Sequence, residues 1–366
     1  MQLLLTTVLL CAAARAAGGA CQRGLGCFPD GPPWSSPERP VPPPRTREEV
    51  DTYFTLYTRS TRYAGRNLTA WPAAAALGDP DYRANRSTMF LVPGLSRSWN
   101  VTWLHRLKNN VLDRGDYNVI LTHWGGDRSS NYSYYQAVSD TRVVGAELAR
   151  LGRALVEQHH VSPGSFHVVG HSLGAQIAGY MGQNITGLGR ITGLDATQVG
   201  FVGYPRAVRL DSRDAQLVED IHTALQPPIV GLADSRNLPI GHVDVYVNGG
   251  NVQPGCNKLN KSLDSVADYA LLSPADVANM SGCSHLRSVD LYLEATSGSG
   301  CVFWARRWLA SPVAAAAQRG APCGPDTCRP IGLQQRAGEA PGVFDLETTA
   351  APPYCIPTAE GVKGGG

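Results

Sequence analysis

Short hydrophobic runs alternate with amphipathic segments along most of the chain. Stretches that predict strands are VDTYFTLYTR, STMFLVPGL, YNVILTHW, SFHVVG, GRITGLD, RAVRLD and HVDVYVNGG. Helical periodicity fills several of the intervals, most clearly in TRVVGAELARLGRALVEQHH. Because strands that alternate with helices favour parallel pairing, the pattern predicts an α/β fold with a mostly parallel central sheet and helices on both of its faces.

One predicted strand and the helix after it enclose a serine in the pattern of a nucleophile elbow. The strand SFHVV leads at once into GHSLG and then into the helical stretch AQIAGYMG, which places Ser172 at the turn. Gly170 and Gly174 flank the serine because so sharp a turn leaves no room for a Cβ on either side. A glycine-rich surface turn would share the pentapeptide, but the strand before it and the helix after it favour a catalytic nucleophile.

Composition and leader pattern limit the class of protein. The chain has 366 residues, 43% of them hydrophobic, and its 32 basic and 30 acidic residues form no basic stripe, so no nucleic-acid partner is expected. Residues 1–20 predict a secretory signal peptide, and no later run reaches the roughly 20 apolar residues of a membrane span. We therefore expect a secreted, soluble protein with a catalytic domain over residues 21–357 and a flexible tail over residues 358–366.

The cysteines and the glycosylation sequons fit the same secretory route. Of nine cysteines, one lies within the predicted signal, and the other eight lack zinc-site spacing, which favours disulfides. The pairs that their positions suggest are Cys21–Cys27, Cys256–Cys283, Cys323–Cys328 and Cys301–Cys355. The N-x-[S/T] sequons lie at Asn67, Asn85, Asn100, Asn131, Asn184, Asn260 and Asn279.

A nucleophilic serine needs a base and an orienting acid, and the chain offers several candidates. Asp195 ends one predicted strand and Asp211 ends the next, so both would lie where loops gather above a parallel sheet, and the pattern leaves this choice open. His285, in the loop GCSHLRS, is the best-placed base. We interpret His222 as an ordinary helix residue and His242 as an ordinary strand-end residue.

The oxyanion hole of such a site is expected to use backbone N–H groups. Leu173, the residue after the nucleophile, would supply one, and the loop after the strand FLVPGL would supply the other. Leu95 is the candidate in that loop because Pro93 has no N–H. Leu95 could equally be a core residue, since only its backbone is needed.

Several sequence blocks, in a fixed order, are specific enough to suggest a family. They are GHSLGAQIAGYMG, GRITGLDATQ, VRLDSRDAQLVEDIHT, GHVDVYVNGG and GCSHLRS, within a stretch from CQRGLGCF to about FDLETTAAPPYC. They resemble the pancreatic lipase family, the animal secreted lipases and A1 phospholipases, and so imply an α/β-hydrolase fold. The resemblance selects Ser172 as nucleophile, Asp195 as acid and His285 as base. It also implies Leu95 and Leu173 as the oxyanion donors.

The resemblance implies a calcium site in the loop YPRAVRLDSRD. The matching ligands are Arg209 through its backbone carbonyl, Asp211 and Asp214, and such oxygen donors suit calcium. Four positions depart from the family pattern, two of them being Pro93 in place of the usual histidine before Gly94 and His123 in place of an aspartate. Arg206 stands where a glutamate is usual, which weakens the electrostatic case, and Ala196 stands where a proline is usual. The expectation is a possible structural calcium, with no cofactor required for the chemistry.

The segment from Cys256 to Cys283 corresponds to the family's lid over the active site. Apolar residues on one predicted helical face of it are Leu259, Leu263, Val266 and Ala270. Ser273, Pro274 and Asp276 have the pattern of a helix start and predict a second short helix. Such a lid would cover an apolar pocket in water and turn its face toward lipid, although a packed excursion that never opens would show the same pattern.

The function implied is that of a secreted serine lipase acting at a lipid–water interface. The length of the lid favours triacylglycerol as substrate, and the alternatives are phospholipase A1 activity or a non-catalytic lipid-carrier role. An intact triad argues against the carrier. Pancreatic-type lipases continue into a β-sandwich domain where this sequence stops, so we expect no colipase-like partner.

Overall fold

The computed structural model describes residues 19–68, 81–95, 102–125, 133–224, 239–256, 274–308, 323–324, 326–334 and 341–356, and for residues 274–281 it describes the backbone only. Several predicted features lie outside these residues. They are the signal sequence before residue 19, the sequons at Asn100, Asn131 and Asn260, the lid residues from Leu259 to Ser273, and the tail after residue 357.

The described residues form 13 strands and five α-helices. The strands are β1 (Ala20–Gln22), β2 (Gly26–Phe28), β3 (Tyr53–Tyr57), β4 (Arg66–Leu68), β5 (Thr88–Val92), β6 (Asn118–His123), β7 (Phe166–His171), β8 (Arg190–Leu194), β9 (Leu217–His222), β10 (Val243–Val247), β11 (Trp304–Arg307), β12 (Cys328–Pro330) and β13 (Gly342–Leu346). The helices are α1 (Arg47–Val50), α2 (Thr102–Arg114), α3 (Tyr134–His159), α4 (Leu173–Asn184) and α5 (Pro274–Thr296).

One sheet of 11 strands organises the molecule, in the order β12-β11-β13-β10-β9-β8-β7-β5-β6-β3-β4. Every neighbouring pair from β13 through to β6 is parallel, and the strands outside them pair antiparallel. The carboxyl ends of the parallel strands therefore share one edge, which is where α/β folds place their sites. The predicted mostly parallel α/β-hydrolase sheet is confirmed.

Helices cover the sheet on both faces, as predicted. Phe90 and Val92 of β5 join the core cluster that holds α3 and α4. Met89 and Leu91, which alternate with them, join the cluster that holds α2 and α5. Because both faces of the strand are buried, its sequence is a continuous apolar run rather than an alternating one.

The stretch RAVRLD is not a strand, so that prediction is wrong. Its first three residues form the 3₁₀ turn Arg206–Val208, and a second 3₁₀ turn, Ser212–Asp214, follows directly after it. Asp211 caps the second turn with its own side chain, and this local hydrogen bonding competes with strand pairing. The strand follows later as β9, and it ends at His222, which was predicted to lie in a helix.

The predicted loop around His285 and the predicted short helix after Ser273 are one continuous helix, α5. Ser284, Ser288 and Tyr292 are buried at a spacing of four residues, so one helical face runs through the segment that was predicted to be a loop. Two of these three residues are serines, and an apolar pattern therefore does not reveal that face.

Four disulfides join the cysteines in the suggested pairs, Cys21–Cys27, Cys256–Cys283, Cys301–Cys355 and Cys323–Cys328. The first closes the β1–β2 hairpin, and the second joins the segment after β10 to α5. Such bonds are consistent with folding in an oxidising compartment. In the part of the chain described here, no helix is both long and apolar enough to cross a membrane.

A glycine allows α3 to pack closely against α4. A Cβ added at Gly145 would lie 2.4 Å from Cβ of Tyr180 and 3.1 Å from the carbonyl oxygen of Ile177. Real Cβ atoms do not approach a neighbour that closely, so any larger residue forces the two helices apart.

We expect Gly145→Ala to lower the free energy of unfolding by on the order of 1–3 kcal/mol because of this overpacking. Gly282→Ala in α5 is the matched control, since no described atom lies within 4 Å of its added Cβ. There alanine should be neutral or stabilising, because it favours helix. Chemical denaturation of both variants checks the prediction, and equal losses would contradict it.

Candidate active site

Ser172 lies at the sharp turn between β7 and α4. Its backbone has φ 58° and ψ −122°, an unusual conformation for a residue with a side chain. The Ser172 N–H donates to the carbonyl of Leu194 at 3.1 Å, which anchors the turn to the end of β8. The strand–turn–helix context predicted from the sequence is therefore present.

Glycines make the turn sterically possible. A Cβ at Gly170 would lie 2.3 Å from the carbonyl oxygen of Gly174, and a Cβ at Gly174 would lie 2.1 Å from that of Val92. Gly94 is equally restricted, because its Cβ would lie 2.7 Å from Cβ of Ser172. Both flanking glycines thus have the steric reason that the sequence suggested, and Gly94 adds a third.

Asp195 and His285 form a hydrogen-bonded pair beside this turn. Nδ1 of His285 lies 2.5 Å from Oδ2 of Asp195. The other carboxylate oxygen accepts the N–H groups of Thr223 at 2.8 Å and Ala224 at 3.0 Å. Burial raises the pKa of Asp195, but the hydrogen bond from His285, together with the two N–H groups, outweighs it and holds that pKa below its usual value.

This pairing fixes the tautomer of the imidazole. An ionised carboxylate only accepts hydrogen bonds, so Nδ1 of His285 donates and Nε2 is the atom left with a lone pair. That nitrogen can take a proton from a nearby hydroxyl.

A cavity of about 390 Å³ brings the three predicted catalytic residues together. It is lined by Tyr134, Ser172, Asp195, Ala196, Thr197, Gln198, Val199, Ala224 and His285. The other candidate acid, Asp211, lies elsewhere and forms ion pairs with Arg209 and Arg213. Of the two candidate acids, Asp195 is therefore the one that contacts His285.

The candidate oxyanion donors lie on the two segments that meet at Ser172. Leu173 is the first residue of α4, and the N–H groups of the first helical turn have no partner within a helix. Leu95 follows Gly94, and 40% of its surface is exposed, so the alternative of a core residue does not hold. The indole N–H of Trp124 donates to the carbonyl of Pro93 at 3.0 Å and so holds that loop.

His171 packs beneath His285, a contact that the sequence reasoning missed. The two ring centroids are 4.5 Å apart, and the ring of Trp103 lies edge-on to His171 at 6.0 Å. Burial, with the neighbouring His285 as a smaller cause, lowers the pKa of His171 to about 3, so the ring stays neutral. A histidine within the pentapeptide itself was the available signal.

His222 is a buried partner of two carboxylates rather than a base for Ser172. Its Nε2 lies 2.8 Å from Oδ1 of Asp244, and its Nδ1 lies 3.3 Å from Oδ2 of Asp220. Oδ1 of Asp220 accepts the N–H of Ala196 at 3.2 Å, which connects the cluster to the residue after Asp195. Burial opposes protonation of His222, but the two aspartates raise its pKa to about 9.

His242, the third candidate base, has a structural role at the start of β10. Its Nδ1 accepts the backbone N–H of Val218 at 3.0 Å. The expectation that it is an ordinary strand-end residue therefore fits its contacts.

The predicted calcium ligands already have partners within the chain. The side-chain N–H₂ of Gln183 donates to the carbonyl oxygens of Arg206 at 3.1 Å and of Arg209 at 3.3 Å. Nε of Arg213 donates to the carboxylate of Asp211 at 2.8 Å. Calcium prefers several uncompensated oxygen donors, so this residue set does not fit the ion.

A serine on a strand–turn–helix elbow, at the carboxyl edge of a mostly parallel sheet, defines the α/β-hydrolase class. The profile of the Lipase family matches residues 18–354, and the chain belongs to that family. It is 36% identical to a pancreatic triacylglycerol lipase of Oryctolagus cuniculus over 296 residues, which cover 80% of this chain and 62% of that protein.

Two further relatives have a similar sequence identity to this chain. The pancreatic triacylglycerol lipase of Homo sapiens is 35% identical over 79% of this chain and 62% of its own length. The inactive pancreatic lipase-related protein 1 of Mus musculus is 35% identical over 80% of this chain and 61% of its own length. The chain thus spans about three fifths of the length of these relatives.

The His222 cluster predicts a pH-dependent contribution to stability. A histidine whose pKa rises on folding stabilises the protein fully below its unfolded pKa of about 6.5. That contribution is lost as the pH rises through about 9. We expect His222→Gln to lower the melting temperature much more at pH 6 than at pH 10. Gly145→Ala removes no titrating group, so it should lower the melting temperature by the same amount at both pH values. A pH-independent decrease in His222→Gln as well would argue against a stabilising charge on His222.

Proposed function

We propose that the chain is a secreted serine esterase that hydrolyses the carboxylic esters of lipids, with triacylglycerol as its main substrate. The observation that carries the proposal is the Asp195–His285 hydrogen bond of 2.5 Å in the cavity that also contains Ser172. Membership of the Lipase family and the names of two relatives support lipid esters as the substrate class.

The chemistry begins with the attack of Ser172 Oγ on the ester carbonyl. Nε2 of His285 takes the serine proton and then delivers it to the departing alcohol. Asp195 keeps the imidazole in the required tautomer and stabilises the charge that forms on it. Water then attacks the acyl-enzyme, with His285 again as base, and the fatty acid leaves.

The negative charge on the ester oxygen needs donors in place before the reaction starts. Backbone N–H groups of Leu173 and Leu95 are proposed to supply them. Removal of one such donor typically costs a factor of about 10² to 10³ in kcat. The glycine contacts around Ser172 hold both segments rigidly, and rigid donors cost no reorganisation during the reaction.

The cavity has room for a flexible acyl chain next to the serine. Ala196, Val199 and Ala224 give it apolar walls. The hydroxyl of Tyr134 lies 2.7 Å from Oγ1 of Thr197, so these two polar groups satisfy each other. Such a site selects for an apolar chain next to an ester more than for a particular alcohol.

Secretion is proposed on two observations. Four disulfides are suited to an oxidising compartment. Three sequons in the described residues, Asn67, Asn85 and Asn184, are exposed, as glycosylation requires.

We expect purified protein to hydrolyse emulsified triolein, and Ser172→Ala to lower kcat by about 10⁶. Ser165→Ala is the control, because Ser165 lies before β7 and its hydroxyl donates to a neighbouring carbonyl. A fluorophosphonate probe should label the control but not Ser172→Ala. Turnover of phosphatidylcholine alone would make the protein a phospholipase A1, whereas no turnover and no labelling would favour a carrier.

Exchange of each candidate acid tests the role of Asp195. Asp195→Asn should leave the fold intact and lower kcat by about 10⁴, because the amide no longer supports the reactive tautomer. Asp211→Asn, in folded protein, should keep most of the activity. The reverse result, measured as kcat with both melting temperatures recorded, would assign the acid to Asp211.

A further inference from the structure

The loop between β8 and β9 supplies its own positive charge to its carboxylates. Asp211 has a side chain only 9% exposed, yet it is charged and needs compensation. Arg213 places Nε 2.8 Å from one of its oxygens, and Arg209 places a guanidinium nitrogen 3.3 Å from the other. Both oxygens of the carboxylate thus face cations of the chain.

Two carbonyl groups of the same loop share a single donor. The side-chain nitrogen of Gln183 lies 3.1 Å from the carbonyl oxygen of Arg206 and 3.3 Å from that of Arg209. It also bonds to the side chain of Asp214. An amide N–H₂ group therefore lies among three oxygens that could otherwise converge on a cation.

The charge balance of the loop also disfavours a bound cation. Asp211 and Asp214 contribute at most two negative charges, whereas Arg206, Arg209 and Arg213 contribute three positive ones. Arg206 interacts with the charge of Asp214. A divalent cation would add to a local charge that is already positive, and it would have to displace hydrogen bonds that are already made.

The loop packs against α4, the helix that begins directly after Ser172, and supports it. Gln176 of α4 accepts the N–H of Leu210 at 2.7 Å and donates to the carbonyl of Thr197 at 2.9 Å. A Cβ at Gly182 would lie 2.0 Å from the carbonyl oxygen of Asp214, so loop and helix touch without side chains between them. Loss of the loop structure would release one side of α4.

We propose that the arginines and Gln183 take the structural part that a bound calcium ion would play, so that the fold does not depend on calcium. Arg213 closes the loop on Asp211, and the amide of Gln183 joins the two carbonyls. This arrangement is independent of the proposed activity, and stability is its readout.

The first test measures the melting temperature of the purified protein, once in excess calcium chloride and once in excess chelator, with intrinsic fluorescence as the readout. We expect the two values to agree within about 1 °C, since a ligand that binds only the folded state must raise the melting temperature. Terbium, a luminescent calcium substitute, should show no saturable sensitised emission. A rise of several degrees in calcium would overturn the proposal.

The second test removes the internal cation, in chelator throughout. Arg213→Ala should lower the melting temperature more than Arg66→Ala does. Arg66 is a matched control, because it is 57% exposed and pairs with an 18% exposed Asp81, while Arg213 is 64% exposed. Arg213→Lys should recover part of the loss, because it restores the charge but not the two-pronged contact. Equal losses at the two arginines would show that Arg213 does not perform this role.

Discussion

The backbone contacts around Ser172 are the constraint on which the candidate site depends. The end of β5, the end of β7 and the start of α4 meet so closely that a single Cβ at Gly170 or Gly174 would overlap a carbonyl oxygen. Since backbones have few degrees of freedom, this contact sets the direction of Ser172 and of the N–H groups around it. The unfavourable φ of Ser172 is tolerated because the surrounding sheet and helix packing determine it.

The remaining parts of the site are positioned from the same edge of the sheet. Asp195 directly follows β8, and its carboxylate accepts the backbone N–H groups of the two residues that follow β9. Its partner His285 lies in α5, 90 positions later in the sequence. Buried charges lie directly behind this edge, where Asp220 reaches the residue after Asp195. Gln176 then connects α4 to the charged loop. The candidate catalytic residues thus come from four elements, β7, α4, β8 and α5, and the site forms only where these elements meet.

Much of this was predictable because it depends on short-range pattern. Buried strands are contiguous apolar runs, and the elbow needs glycine at fixed positions, so β5, β7, β8 and the region of Ser172 followed from the sequence. The prediction of a strand at RAVRLD was wrong because the side chain of Asp211 caps a 3₁₀ turn there. The full extent of α5 was not predicted because its buried face contains serines and therefore shows no apolar pattern. The choice between Asp195 and Asp211 depends on contacts between residues about 90 positions apart, which no local pattern encodes, and only the resemblance to a family selected Asp195.

The position of β13 has a consequence for biosynthesis. This strand follows every other described strand in the sequence, yet it lies between β10 and β11 and pairs with both. During translation the edge of β10 therefore stays unpaired until residues 342–346 have left the ribosome, which is after every candidate catalytic residue has emerged. An open strand edge invites pairing with other chains. The β10 edge is therefore open to pairing with other chains for as long as the ribosome needs to translate the intervening residues.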